Sequence, residues 1–93
     1  MSRELETFDV AKYLDSNEII AEYLSQILAN GDLDEFLSAI GEIARAKGMT
    51  QIAKDTGLGR ESLYKSFSVG AKPRFDTVIK VLNSFGVRLQ AVS

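Results

Sequence analysis

The stretch Thr50-Gln51-Ile52-Ala53-Lys54-Asp55-Thr56-Gly57-Leu58-Gly59-Arg60-Glu61-Ser62-Leu63-Tyr64-Lys65-Ser66-Phe67 decides the fold. Thr50 can cap a short helix over residues 51–56, Gly57-Leu58-Gly59 breaks it, and a second short helix runs from Arg60 to about Phe67. Two short helices that cross at close range need a small residue at the crossing, and Ala53 supplies it. The turn needs a residue that tolerates positive φ, and Gly57 does so without a Cβ penalty. Ile52, Leu58 and Leu63 point inward and fix the angle between the helices. The other positions of the second helix, Arg60, Glu61, Ser62, Tyr64 and Lys65, then face out. This is the logic of a helix-turn-helix.

The outward residue types suit duplex DNA. Arg60 is the best candidate base reader, because its planar fork can donate two hydrogen bonds to guanine O6 and N7. Tyr64 and Lys65 lie one turn further on, within reach of a thymine methyl, a phosphate or a second base. Glu61 could accept from cytosine N4, orient Arg60, or simply favour the helix N-terminus. Thr50 and Gln51 begin the first helix of the motif, whose free N–H groups suit a phosphate oxygen. One such helix covers only a few base pairs, so a homodimer on a palindrome is expected. Two short helices around a glycine turn also occur in proteins that never touch DNA, so a protein-binding adaptor stays open as an alternative.

Working outward, the chain reads as helical on both sides of this motif. A short helical turn is expected at about residues 9–14. Ser16 is a plausible N-cap for a helix carrying Ile19, Ile20, Tyr23, Leu24, Ile27 and Leu28 on one stripe, ended by Gly31. Asp32 with Glu35 reads as a capping arrangement. The helix behind it places Leu33, Phe36, Leu37, Ile40, Ile43 and Ala44 at a 3.6-residue period, with Lys47 in its last turn and Gly48 as its stop. Downstream, Pro73 suits the first turn of a helix carrying Phe75, Val78, Ile79, Leu82 and Phe85, stopped by Gly86. The tail over residues 87–92 alternates apolar and polar, the period of a strand. A lone strand needs a partner, so either it pairs with its copy in a second chain or it is an irregular docked tail. The expected organisation is a single all-α domain. It has an N-terminal helical extension over residues 1–31, a core over 32–86 with the helix-turn-helix at 50–67, and a tail over 87–93. One core should gather Leu37, Ile40, Ala44, Ile52, Ala53, Leu58, Leu63, Val78 and Leu82.

Composition narrows the function classes. With 93 residues there is room for one modest core, and 45% apolar residues with a single Pro favour a folded, mostly helical chain. There is no Cys and no His, so the thiolate ligand, the commonest zinc ligand and the commonest general base are all missing. The expectation is a non-enzyme with no metal and no cofactor. The start, Met1-Ser2-Arg3-Glu4-Leu5-Glu6, lacks the apolar run of a signal peptide, and residues 19–28 are too short and too polar to span a bilayer, so a cytoplasmic location is expected.

The net charge of −2 hides an asymmetry. Residues 1–42 hold ten acids and two bases, a net of −8, whereas residues 43–93 hold three acids and nine bases, a net of +6. Such polarity fits two partners of opposite charge, a polyanion for the basic half and a basic protein for the acidic half. It fits equally a set of helices that each solvate their own outer face. Asp32, Asp34 and Glu35 are the acids at which a basic partner is expected to meet the acidic half. A metal site there is less economical than a helix cap.

Over residues 8–89 the chain resembles the addiction-module antidote proteins, HigA-like antitoxins paired with RelE/HigB-type toxins. The resemblance rests on Phe8-Asp9-Val10-Ala11-Lys12-Tyr13-Leu14, on Tyr23-Leu24 with Gly31-Asp32, and on Ala39-Ile40-Gly41-Glu42-Ile43-Ala44-Arg45-Ala46-Lys47-Gly48-Met49. It continues through Gly57-Leu58, Arg60-Glu61-Ser62-Leu63-Tyr64-Lys65, Thr77-Val78-Ile79-Lys80-Val81-Leu82 and Phe85-Gly86-Val87. Three departures stand out. Gly59 replaces a usual polar cap such as Ser, Ser66 stands where Ala is common, and Ala71-Lys72 replaces a usual Gly-Asn before Pro73. The first should weaken the recognition helix's N-terminus only slightly. The second bears on local packing. The third means that the loop's conformation, and any phosphate contact it makes, do not transfer. The resemblance implies a dimeric λ-repressor-like domain, a small basic ribonuclease toxin as partner, and repression of the shared operon. A stand-alone helix-turn-helix regulator without a toxin is the nearest alternative.

Overall fold

The computed structural model describes residues 16–93, and the helical turn expected at about 9–14 lies outside them. Among the described residues there are five helices and no strand: α1 (Asn17–Ala29), α2 (Leu33–Lys47), α3 (Met49–Thr56), α4 (Arg60–Ser66) and α5 (Phe75–Ser84). The N-caps expected at Ser16 and Asp32 are both present. The Ser16 hydroxyl accepts from the Ile19 amide at 3.2 Å and starts α1. The Asp32 carboxylate accepts from the Glu35 amide at 3.0 Å and starts α2. Each bond satisfies one of the donors that a helix N-terminus leaves without an intrahelical partner.

Helix α1 packs on α2, α2 on α3 and α5, and α3 on α4 and α5. Their inward faces meet in one cluster that includes Ile20, Leu24, Ile27, Phe36, Ile40, Ile43, Ala44, Ile52, Leu63, Val78, Leu82 and Phe85. Of the expected core, Ile40, Ala44, Ile52, Leu63, Val78 and Leu82 are buried, while Leu37, Ala53 and Leu58 are partly buried and pack against the cluster. Helix α1 thus shares the core through Ile20, Leu24 and Ile27.

Several expectations are corrected. Helix α3 begins at Met49, so Thr50 is an exposed first-turn residue and not its cap; the N-cap is Gly48, with no side-chain bond. The cause is Met49, whose burial in the core draws the helix start two residues back. Pro73 lies ahead of α5, whose N-cap is Arg74. Leu33 and Phe75 stand at the first positions of α2 and α5 and remain 61% and 71% exposed, because both helices begin beyond the edge of the core. The inward stripe of α5 is Val78, Val81 and Leu82, continued by Phe85 just beyond the helix; it starts one turn later than expected, and Val81 takes the buried place expected for Ile79, which is only partly buried. The tail after Gly86 forms no strand: Val87 is buried and donates its amide to the Leu82 carbonyl at 3.0 Å, and residues 88–93 run on exposed. No described helix is long and apolar enough to cross a membrane.

Candidate nucleic-acid interface

Helices α3 and α4 meet through a turn at residues 57–59. Gly57 takes the left-handed conformation at φ +76° and donates its amide to the Ala53 carbonyl at 2.9 Å, closing α3. Thr56 then holds the turn from both sides. Its hydroxyl donates to the Ile52 carbonyl at 2.8 Å and accepts from the Leu58 amide at 3.2 Å. The sequence reading missed this role, although a Thr directly before a helix-ending Gly is its visible signal.

Helix α4 is anchored from behind. Leu63 is fully buried, and Phe67, just past the helix, is buried against α2. The contact at α2 is close. A Cβ on Gly41 would lie 2.9 Å from the Phe67 Cβ, nearer than two such carbons normally approach, so only glycine lets α4 end against α2 in this way. Ser68 finishes the helix by donating its hydroxyl to the Lys65 carbonyl at 2.9 Å.

The outer face of α4 carries the residues expected there: Arg60, Glu61, Ser62, Tyr64 and Lys65 are all exposed. Arg60 is the first helical residue, and its guanidinium carbon lies 5.5 Å from the centre of the Tyr64 ring, one turn later. The expected contacts in the first turn of α3 are also exposed. There the Gln51 amide donates to the Asp55 carboxylate at 2.9 Å, which holds its side chain along the helix. Lys54 adds a further exposed cation on α3. In the loop that follows α4, Lys72 pairs with Asp34 at 3.1 Å and Arg74 with Asp76 at 3.3 Å. All four side chains are largely exposed, so these pairs contribute little stability and leave the cations accessible.

The three acids expected to meet a basic partner lie at one end of α2, away from the turn between α3 and α4 in the chain. Each also has a task within the fold or stands beside one. Asp32 caps α2, Asp34 pairs with Lys72, and exposed Glu35 sits in the acidic first turn, where it suits the helix dipole. Half-buried Tyr23 of α1 lies close enough to Glu42 and Glu35 to feel both carboxylates. Burial foremost, then Glu42 and Glu35, pushes its phenol above the usual tyrosine range. No group of three or more metal-binding side chains gathers among the described residues.

Comparison with known proteins agrees on one family. A model of the family described as probable addiction module antidote protein matches residues 4–93. A protein of Haemophilus influenzae, described only as uncharacterized, is 46% identical over 90 residues, which span 97% of this chain and 93% of the relative. No solved structure matches the chain. With a family match over nearly its full length and a relative 46% identical over most of both chains, this chain belongs to the addiction module antidote proteins.

Proposed function

We propose that the chain is a sequence-specific DNA-binding antitoxin that neutralises a small basic ribonuclease toxin by direct binding and represses its own operon. In this reading the fold is λ-repressor-like, α4 enters the major groove of a palindromic operator, and a homodimer places two copies about one helical turn apart. The observation that carries the reading is the two-sidedness of α4. Its inner side is locked by Leu63, with Phe67 following, while Arg60, Tyr64 and Lys65 stand in solvent on a seven-residue helix. Two cations and an aromatic ring on so short an outer face suit contact with a polyanion. Arg and Lys are also the side chains that read guanine and hold phosphate. Lys54 on the preceding helix is a further exposed cation of the motif.

The antitoxin part rests on family membership and on the acidic first half of the chain, which suits a basic partner. The toxin-facing acids in this reading are Asp32, Asp34 and Glu35. Because charge complementarity acts chiefly on encounter, their replacement by Asn, Asn and Gln slows toxin association at low salt and has little effect at high salt. Stopped-flow association with the toxin of the same operon checks this. An unchanged rate at low salt would leave the three acids with roles inside the fold only.

For DNA, the experiment is a fluorescence titration of the full chain on its own promoter and on an unrelated duplex of equal length, at two salt concentrations. The account expects tighter binding to the promoter and a steep loss of affinity with salt as the protein's cations release counterions. Equal affinity for both duplexes removes sequence recognition, and no binding to either leaves a protein-binding module.

A further inference from the structure

Arg60 occupies an awkward place for a residue that is to read a base. It is the first residue of α4, at the positive end of the helix dipole, and Gly59 before it offers no side-chain cap. Among the described residues no carboxylate pairs with it. Its guanidinium lies instead over the Tyr64 ring, 5.5 Å from the centroid. The geometry follows from the helix. Side chains lean toward the N-terminus, so an aromatic residue four positions later leans back onto the turn that holds the arginine.

A ring contact and a base contact can use different parts of the guanidinium. The face of the ring attracts the cation, and a guanidinium can lie flat against it. The five N–H donors lie in the plane and point outward from its edges. A ring on one face therefore restricts the side chain while leaving the fork open to guanine O6 and N7. A long, solvent-exposed arginine otherwise loses rotamer freedom on binding, and a side chain already held in place loses less.

We propose that Tyr64 is the positioning residue for Arg60: its ring face holds the guanidinium with the in-plane fork presented to a guanine edge. This rests on the reading of α4 as the DNA-reading helix. The ring, and not the hydroxyl, is the working part. Tyr64 thereby acts on the discrimination between bases at the one position Arg60 reads, and acts there only through Arg60.

The test uses the full chain and a set of promoter duplexes in which each base pair of the half-site is replaced in turn. Affinities are measured for the parent, Tyr64→Phe, Tyr64→Leu, Arg60→Ala and the double variant Arg60→Ala with Tyr64→Leu. Circular dichroism confirms folding; Leu is a better helix former than Tyr, and the site is exposed. The position at which Arg60→Ala abolishes preference marks the base that Arg60 reads. There, Tyr64→Leu lowers discrimination about two- to five-fold, the range of an exposed cation–π contact, while Tyr64→Phe keeps it. On the Arg60→Ala background Tyr64→Leu causes no further loss at that position. Parent-like discrimination by Tyr64→Leu overturns the inference. So does an equal loss with and without Arg60, which would make Tyr64 a direct contact, and so does a loss in Tyr64→Phe matching that in Tyr64→Leu. If Arg60→Ala leaves every preference intact, the reading of α4 itself falls and takes this inference with it. A separate readout needs no DNA. Ring-current shifts on the Arg60 side-chain protons should be present in the parent and Tyr64→Phe and absent in Tyr64→Leu, and their absence from the parent overturns the proposal.

Discussion

Helix α2 has fifteen residues, a carboxylate cap at Asp32, acids Asp34 and Glu35 in its first turn and bases Arg45 and Lys47 in its last. Helix α4 has seven residues, Gly59 at its cap with no side-chain bond, and Arg60 as its first residue. In α2 the cap, the charges and the apolar stripe all favour the same helix. In α4 length and capping work against it, since isolated helices this short are unstable in water, and the first-turn cation Arg60 offsets what Glu61 and Lys65 contribute at the two ends. It is helical because Leu63 and Phe67 are seated in a core built largely by the other helices, and because Gly41 and Thr56 let it sit there. The face proposed to meet DNA is thus drawn from the molecule's least self-sufficient element. Its outer side chains are left free of structural duties.

The largest expected effect comes from removing that seat. Leu63→Ala should destabilise the protein by about 2–5 kcal/mol, as read from urea unfolding, and abolish promoter binding together with the fold of α4. If this variant unfolds at the parent's urea concentration, α4 does not depend on the core. Next is Gly41→Ala. Alanine is the better helix former by about 1 kcal/mol, so α2 considered alone would gain. The crowding against Phe67 should outweigh that gain and give a net loss, overpacking typically costing about 1–3 kcal/mol. A more stable variant would mean that α4 can shift away from α2 without cost.

Two smaller effects concern the caps. Asp32→Ala should cost about 1 kcal/mol, because it removes the side-chain acceptor for the Glu35 amide. Gly59→Ser should raise stability by a few tenths of a kcal/mol. The backbone at Gly59 is extended (φ −70°, ψ 142°), and a Cβ there would meet nothing closer than the Ser62 hydroxyl at 3.7 Å. Amide hydrogen exchange should locate the gain in α4 and leave α2 unchanged. A gain spread over the whole molecule would show that α4 does not open on its own.

The same contrast explains what could be read from the sequence. The stripe of α2 and the caps at Ser16 and Asp32 were legible, because local patterns and the final structure agree there. The turn at Gly57 and the outward set on α4 were legible for the same reason. The misses occur where packing between distant segments decides. Met49 pulls the start of α3 past Thr50, Gly41 is small because Phe67 sits on it, and Leu33 and Phe75 fall outside the core although their spacing suits it. The tail alternates like a strand, but only Val87 finds a place in the core. Of the candidate site, the residue types are visible in the sequence; the contact between Arg60 and Tyr64 has only the four-residue spacing of cation and ring as its signal.

The central claim is that the outer face of α4 reads DNA. Its most direct test is the affinity of Arg60→Ala and Lys65→Ala for the protein's own promoter, with each variant shown to be folded. Arg60→Ala should cost about 1–3 kcal/mol of binding free energy and relax base preference at one position per half-site. Lys65→Ala should weaken binding to all sequences more evenly, as loss of a phosphate contact does. Folded variants that both bind the promoter as the parent does would contradict the account.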